Sequence, residues 1–306
     1  FNSLVVEDGG TPSYPATALA YRTDDTPGPT TKAGKKVVAA VTLVLDESGS
    51  MDWRMKGEDS KPKNSTNPFR MTTLKNKANK LIDQFSSMTG NIYVSVIPYS
   101  YDATISKINN KDFTLANSIN KETIKSKISE MSPNGATNTG DGMRISYYAM
   151  KNFKDNPTSV DSSLPSDTKV VNYMILLSDG NPTWCSYKDV GSQRYFFREP
   201  GIPQYYYNYG NDPLRYTEIM GKEYITGQDL DINTFVIGFS AVKSEIDKAN
   251  SIAGYCNLSS NPKRNGKYYE ASSDVQLEEV FDEIGGTILK EMWHIYGPYA
   301  EDENNN

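Results

Sequence analysis

Residues 37–51 read VVAAVTLVLDESGSM. The first nine are apolar or β-branched without a break, the pattern of a strand buried on both faces of a parallel sheet. The run then stops at Asp46, Ser48 and Ser50. Open α/β sheets hold their ligands outside the carboxyl ends of the strands. One aspartate and two hydroxyls, at alternating positions of one turn, are hard oxygen donors that could face a single point. Such a set suits Mg²⁺ or a similar hard cation.

Two further stretches supply donors to complete the shell. Residues 170–180, VVNYMILLSDG, form a second buried run that breaks into Asp179. Residues 132–140, SPNGATNTG, form a loop that offers Thr137. This loop feeds a helix, so Thr137 lies near a positive helix end. Its hydroxyl oxygen, not the helix dipole, must then do any cation binding. The candidate metal set is therefore Asp46, Ser48, Ser50, Thr137 and Asp179.

Outward from these points, strands alternate with amphipathic helices. Leu74, Ala78, Leu81, Ile82, Phe85 and Met88 recur at helical spacing over 70–89, and Gly90 stops the run. Further helices are expected at 121–131, 139–153, 214–226, 242–253 and 274–292. Strands are expected at 91–99, 169–177, 231–239 and 267–271, with a short antiparallel edge strand within 102–108. The order implies an α/β fold: a doubly wound, mostly parallel sheet flanked by helices. Gly285-Gly286 inside the last helix is either a soft point or a close-packing site, and packing is the favoured reading.

Composition narrows the function. The 306 residues carry 38 Asp and Glu against 32 Lys and Arg, a net charge of −6. A nucleic-acid surface needs a basic stripe, which this balance opposes. No apolar run reaches membrane-spanning length, so no membrane contact is expected. The single histidine, His294, and the two cysteines exclude His-rich and Cys-rich zinc chemistry. No G-x-x-x-x-G-K phosphate loop is present and no His or Lys base is expected beside the aspartates, so an enzyme is not expected. The chain begins at Phe1 instead of Met, as expected of a processed or trimmed piece.

Residues 1–36, rich in Pro, Gly, Thr and Asp, read as a lead-in or the remnant of a neighbouring module. Residues 52–69 read as a polar rim loop beside the metal turn. Residues 181–215 hold nine Trp, Tyr and Phe side chains between glycines and prolines, and no helical or strand period fits them. Two readings stay open there: a local aromatic minicore, and a recognition surface, since Tyr and Trp dominate binding hot spots. The tail 293–306 is polar. Cys185 and Cys256 would commonly pair in an exported chain. The expected topology sets them near opposite sheet edges, beyond the ~7 Å Cα separation that a disulfide allows. Both outcomes stay open, with free thiols favoured.

The D-x-S-x-S strand end, the Gly-x-Thr loop and the strand-end Asp-Gly together resemble the metal-ion-dependent adhesion site of the von Willebrand factor A domain, and the resemblance covers residues 37–292. It implies that Ser48, Ser50 and Thr137 touch the ion directly while Asp46 and Asp179 act through water. It implies Mg²⁺, with Mn²⁺ or Ca²⁺ as substitutes, and a protein ligand whose Asp or Glu carboxylate completes the shell. The DESGSM turn, the Ser-Asp-Gly strand end and the closing stretch from Cys256 through KYYEA at 267–271 resemble modules of tight-adherence pilus proteins and modular type IV minor pilins. That implies an extracellular adhesin on a bacterial surface or pilus, in contact with other pilus subunits. Fibrinogen, fibronectin and collagen are ligands that the resemblance allows. The alternative is a non-adhesive scaffold subunit that assembles a complex through its metal.

Overall fold

β1 (Val37–Asp46) is buried at every position. Alternate side chains leave a strand in opposite directions. Val41, Leu43 and Leu45 enter one core, and Val38, Ala40 and Val44 enter another. A strand covered on both sides has no solvent face to impose a period of two, so its sequence is one apolar run. The computed structural model describes residues 36–57, 68–87, 91–228, 230–258 and 266–296, with side chains through residue 293. The expectations for residues 1–35, Met88, Gly90 and 297–306, and for 58–67 of the rim loop, lie outside the described residues.

The other strands are β2 (Ile92–Tyr99), β3 (Thr114–Leu115), β4 (Lys169–Ser178), β5 (Cys185–Val190), β6 (Gln193–Phe196), β7 (Tyr205–Tyr207), β8 (Ile232–Gly238) and β9 (Lys267–Glu270). The helices are α1 (Arg70–Ser86), α2 (Lys121–Glu130), α3 (Thr139–Asp155), α4 (Pro157–Val160), α5 (Asp212–Ile219), α6 (Lys243–Tyr255) and α7 (Asp274–Tyr296). A π-helical turn, Met220–Ile225, continues α5. The main sheet has the order β3-β2-β1-β4-β8-β9, and only β3 runs antiparallel. α1, α2 and α7 cover one face; α3, α5 and α6 cover the other. This is the expected doubly wound sheet.

The register places the site. β1 pairs with β2 through Asp46↔Tyr99 and with β4 through Leu45↔Leu177. Asp46 and Asp179 therefore leave neighbouring strands at the same edge. The fold departs from expectation at four points. The antiparallel edge strand is Thr114–Leu115; residues 102–108 contribute only the isolated bridges Tyr99↔Ala103 and Ile108↔Lys111. The short helix α4 was not foreseen. The last helix continues to Tyr296, into the expected tail. The aromatic insertion is not irregular: β5, β6 and β7 form a separate antiparallel sheet of order β6-β5-β7.

Gly285 is a packing residue. A Cβ there would strike the Gln84 side chain of α1 and lie 3.0 Å from Leu81. Gly286 meets nothing. No disulfide joins Cys185 and Cys256, and both are buried. Cys185 opens β5 and its thiol lies 3.3 Å from the Tyr207 carbonyl, and burial lifts its pKa to about 11. Cys256 caps α6.

Candidate metal centre

The chain after β1 turns back on its own aspartate. Ser48 N–H donates to Asp46 Oδ1 at 2.9 Å, which starts the 3₁₀ turn Gly49–Asp52. The turn brings Ser48 Oγ and Ser50 Oγ to 3.1 Å from each other. At the end of β4, Asp179 N–H points at Asp46 Oδ2 from 3.4 Å. The Thr137 loop is fastened to the same turn. Asn134 N–H donates to Glu47 O at 2.8 Å, and Gly49 N–H donates to Gly135 O at 3.2 Å. Gly135 has φ +76°, and a Cβ there would lie 2.6 Å from the Tyr101 ring, so only glycine fits. The structure thus brings the Asp46–Ser48–Ser50 turn, the Thr137 loop and the Asp179 strand end to one edge.

A ligand site outside the carboxyl end of a strand places Asp46 at the sheet rim, but the structure sets it deeper. It is fully buried, and Asp179 is 2% exposed. The sequence runs to this point as strand core, and Tyr99 of β2 closes over the carboxylate. Tyr99 Oη lies 3.1 Å from Asp46 Oδ2 and 3.0 Å from the Leu177 carbonyl. Burial, reinforced by the charge of Asp179, lifts the Asp46 pKa to about 7. Burial also raises Asp179, against the pull of a nearby arginine.

That arginine, Arg70, was not foreseen. Its guanidinium is fully buried. Nη1 donates to Asp179 Oδ2 at 2.8 Å; Nη2 donates to Glu245 Oε2 at 2.7 Å and Ser240 Oγ at 3.1 Å. Ser240 in turn accepts Val242 N–H at 2.9 Å, beside the start of α6. One signal for Arg70 was present in the sequence. It opens α1, and a cation at a helix N-terminus opposes the macrodipole unless something else holds it. Tyr99, Ser240 and Glu245 carried no such signal.

Asp179 and Glu245 thus share one guanidinium, Asp46 lies beside Asp179, and among the described residues no cation is paired with Asp46. Buried charge is costly unless it is paired. Two hydroxyls stand beside the unpaired carboxylate, and oxygen donors are what a hard divalent cation takes. The residues present fit such an ion. Among the described residues no group of three or more His, Cys, Asp or Glu could hold a metal.

The insertion is anchored to the same loop. Thr183 Oγ1 accepts Thr137 N–H at 2.9 Å, and the Thr137 carbonyl accepts Thr183 N–H and Trp184 N–H at 2.8 and 3.2 Å. Behind it, Asp141 and Arg144 of α3 form a buried pair at 2.7 Å. Arg144 also donates to the Glu199 and Gly201 carbonyls at 2.7 and 3.1 Å, so α3 holds the link between β6 and β7.

The family model of the von Willebrand factor type A domain matches residues 40–283. The chain belongs to the von Willebrand factor type A family. Among solved structures, it is similar to the PilB minor pilin from Streptococcus sanguinis, with 27% identity and a TM-score of 0.65 over 91% of this chain. The chain spans 66% of that minor pilin's length. It shares the fold of the pilus adhesin SpaC from Lactobacillus rhamnosus GG, at 18% identity and a TM-score of 0.51, over 85% of this chain and 31% of that one. No curated protein matches the chain. Bacterial pilus proteins thus stand among the von Willebrand factor type A structures it is similar to. Among the described residues no helix is long and apolar enough to cross a membrane.

Proposed function

We propose that this domain is a non-catalytic adhesin module of a bacterial pilus, of the type IV minor-pilin kind, displayed outside the cell. It binds a host or matrix protein through a divalent cation, Mg²⁺ by preference, at the carboxyl edge of the main sheet. The observation that carries the reading is Asp46: fully buried, lifted to about 7, without a cationic partner among the described residues and next to two converging hydroxyls. Ser48, Ser50, Thr137, Asp46 and Asp179 would hold the ion. When bound, it supplies an electrophilic position that a carboxylate of the partner protein completes. Arg70 holds Asp179 in place, and Tyr99 does the same for Asp46.

The similarity to a minor pilin supports the pilus assignment and contact with other pilus subunits. The insertion, fixed to the Thr137 loop, gives the site a neighbouring surface. Trp184 stands edge-on to Tyr101 at 4.8 Å and stacks near Tyr207. Partner choice would come from this rim, since aromatic side chains dominate recognition. Surface-plasmon measurements on immobilised fibrinogen, fibronectin and collagen, in Mg²⁺ and then in EDTA, test the proposal. Binding to at least one of them that is lost in EDTA is expected. Binding of equal strength in EDTA would remove the metal from the contact. Binding to none of them, with Mg²⁺ still taken up, would favour a scaffold role.

A further inference from the structure

On the insertion, a groove of about 660 Å³ opens between the β5–β6 hairpin and α5. Clefts of ~300–1,000 Å³ are the size that holds a small ligand or a few side chains. Its floor is a stacked pair, Tyr187 and Phe196, with ring centroids 5.4 Å apart and planes at 20°. Two guanidiniums stand over this floor. Arg194 lies 5.9 Å from the Tyr187 ring and Arg215 lies 5.9 Å from the Phe196 ring. Tyr195, on the rim, is 45% exposed.

Charged side chains crowd the groove in a chain of net −6. Four basic and two acidic side chains line the groove, and two more carboxylates, Asp189 and Glu223, stand on its arginines, so the local charge is balanced and only the pairing decides what is left over. Three of the four bases are already paired with carboxylates of the chain: Lys188 with Glu199, Arg194 with Asp189 and Arg198 with Glu223. Arg215 has no carboxylate within ion-pair distance among the described residues, and it is exposed. The acidic Asp212 is occupied by the Tyr187 hydroxyl at 2.6 Å. An unmatched guanidinium over an aromatic floor is a receptor for a carboxylate carried beside an apolar group.

The form of the occupant follows from the sheet. Among the described residues β6 is a terminal strand of the order β6-β5-β7 and pairs with β5 alone. A terminal strand offers a row of backbone donors and acceptors to another extended chain. A peptide can use that row; a sugar or a nucleic acid has no matching backbone.

We propose that this groove is a second, cation-independent site that takes an extended acidic segment of a protein partner. A carboxylate of the segment sits on Arg215, and an apolar side chain covers Phe196. This site does not rest on the metal reading and lies on different residues.

The test is fluorescence anisotropy with a fluorescein-labelled octapeptide alternating glutamate and leucine, in EDTA throughout. Saturable binding is expected, weaker by about tenfold in Arg215→Glu and weakened further by raised salt. Arg215 touches only one ring, so its replacement should leave the fold intact, and circular dichroism verifies this. Arg215→Lys should keep most of the affinity. No saturable binding by the native protein would overturn the proposal, as would equal binding of a lysine–leucine octapeptide or an unaffected Arg215→Glu. Binding of a sialylated oligosaccharide in place of the acidic peptide would overturn the peptide assignment.

Discussion

Two buried aspartate–arginine pairs, Asp179–Arg70 and Asp141–Arg144, differ in one respect. Asp141 is closed. Its Oδ1 accepts from Arg144 Nε at 2.7 Å and Ser186 Oγ at 3.0 Å, and its Oδ2 accepts from Ala103 N–H at 2.9 Å. The pair at the sheet edge is open. Arg70 neutralises Asp179 and also serves Glu245, while Asp46 beside them meets Ser48 N–H, Tyr99 and, at longer range, Asp179 N–H, and no cation among the described residues. A closed network of this kind is a structural joint, here fastening the insertion to α3. An open one stores uncompensated charge, which stability alone does not explain. Buried ionisable groups left in that condition mark functional sites.

The largest expected effect separates the two arginines. Arg144→Met and Arg70→Met each leave a buried carboxylate without its cation, at a cost of about 3–5 kcal/mol in metal-free protein. Saturating Mg²⁺ should recover part of the loss in Arg70→Met and none in Arg144→Met, read by urea denaturation. Equal recovery in both would erase the distinction between the pairs.

The next effect is in pH. Asp46 has a folded pKa of about 7, above the ordinary carboxylate range, so the folded state holds a proton that the unfolded state has lost. For such a group stability is highest below the unfolded pKa and falls as pH rises through about 7. Its contribution in metal-free protein should therefore decline between about pH 4 and pH 7, and the increase in melting temperature caused by Mg²⁺ should be greater at pH 7.5 than at pH 5. A Mg²⁺ shift independent of pH would show that Asp46 is not linked to the ion.

A smaller effect concerns the aspartates themselves. Asp46→Asn removes a charge that no cation among the described residues balances, so metal-free stability should stay within about 1 kcal/mol of native or rise. Asp141→Asn removes the partner of Arg144 and should cost several times more. Thermal unfolding of both variants in EDTA gives the comparison directly.

The two regions were also unequally legible. The strand ends at Asp46 and Asp179 stood out because apolar runs buried on both faces stop abruptly at oxygen-bearing side chains. The insertion did not. β6 and β7 are exposed along most of their length and lack a clean alternation of apolar and polar residues. Only β5 begins buried. Two residues of β3 were too few to locate an edge strand. Arg70 escaped because a charged residue at the first position of a helix reads as solvated, and its partners lie 109 and 175 residues away. Tyr99 read as one more strand residue, since its hydroxyl contact to Asp46 exists only across the β1–β2 register.

The central claim is that the open carboxylate at the end of β1 is completed by a divalent cation. Isothermal titration calorimetry of Mg²⁺ into native protein and Asp46→Ala, both verified as folded by circular dichroism, addresses it most directly. Saturable, one-to-one binding by the native protein and none by the variant is the expected result. Equal affinity in the two proteins would contradict it.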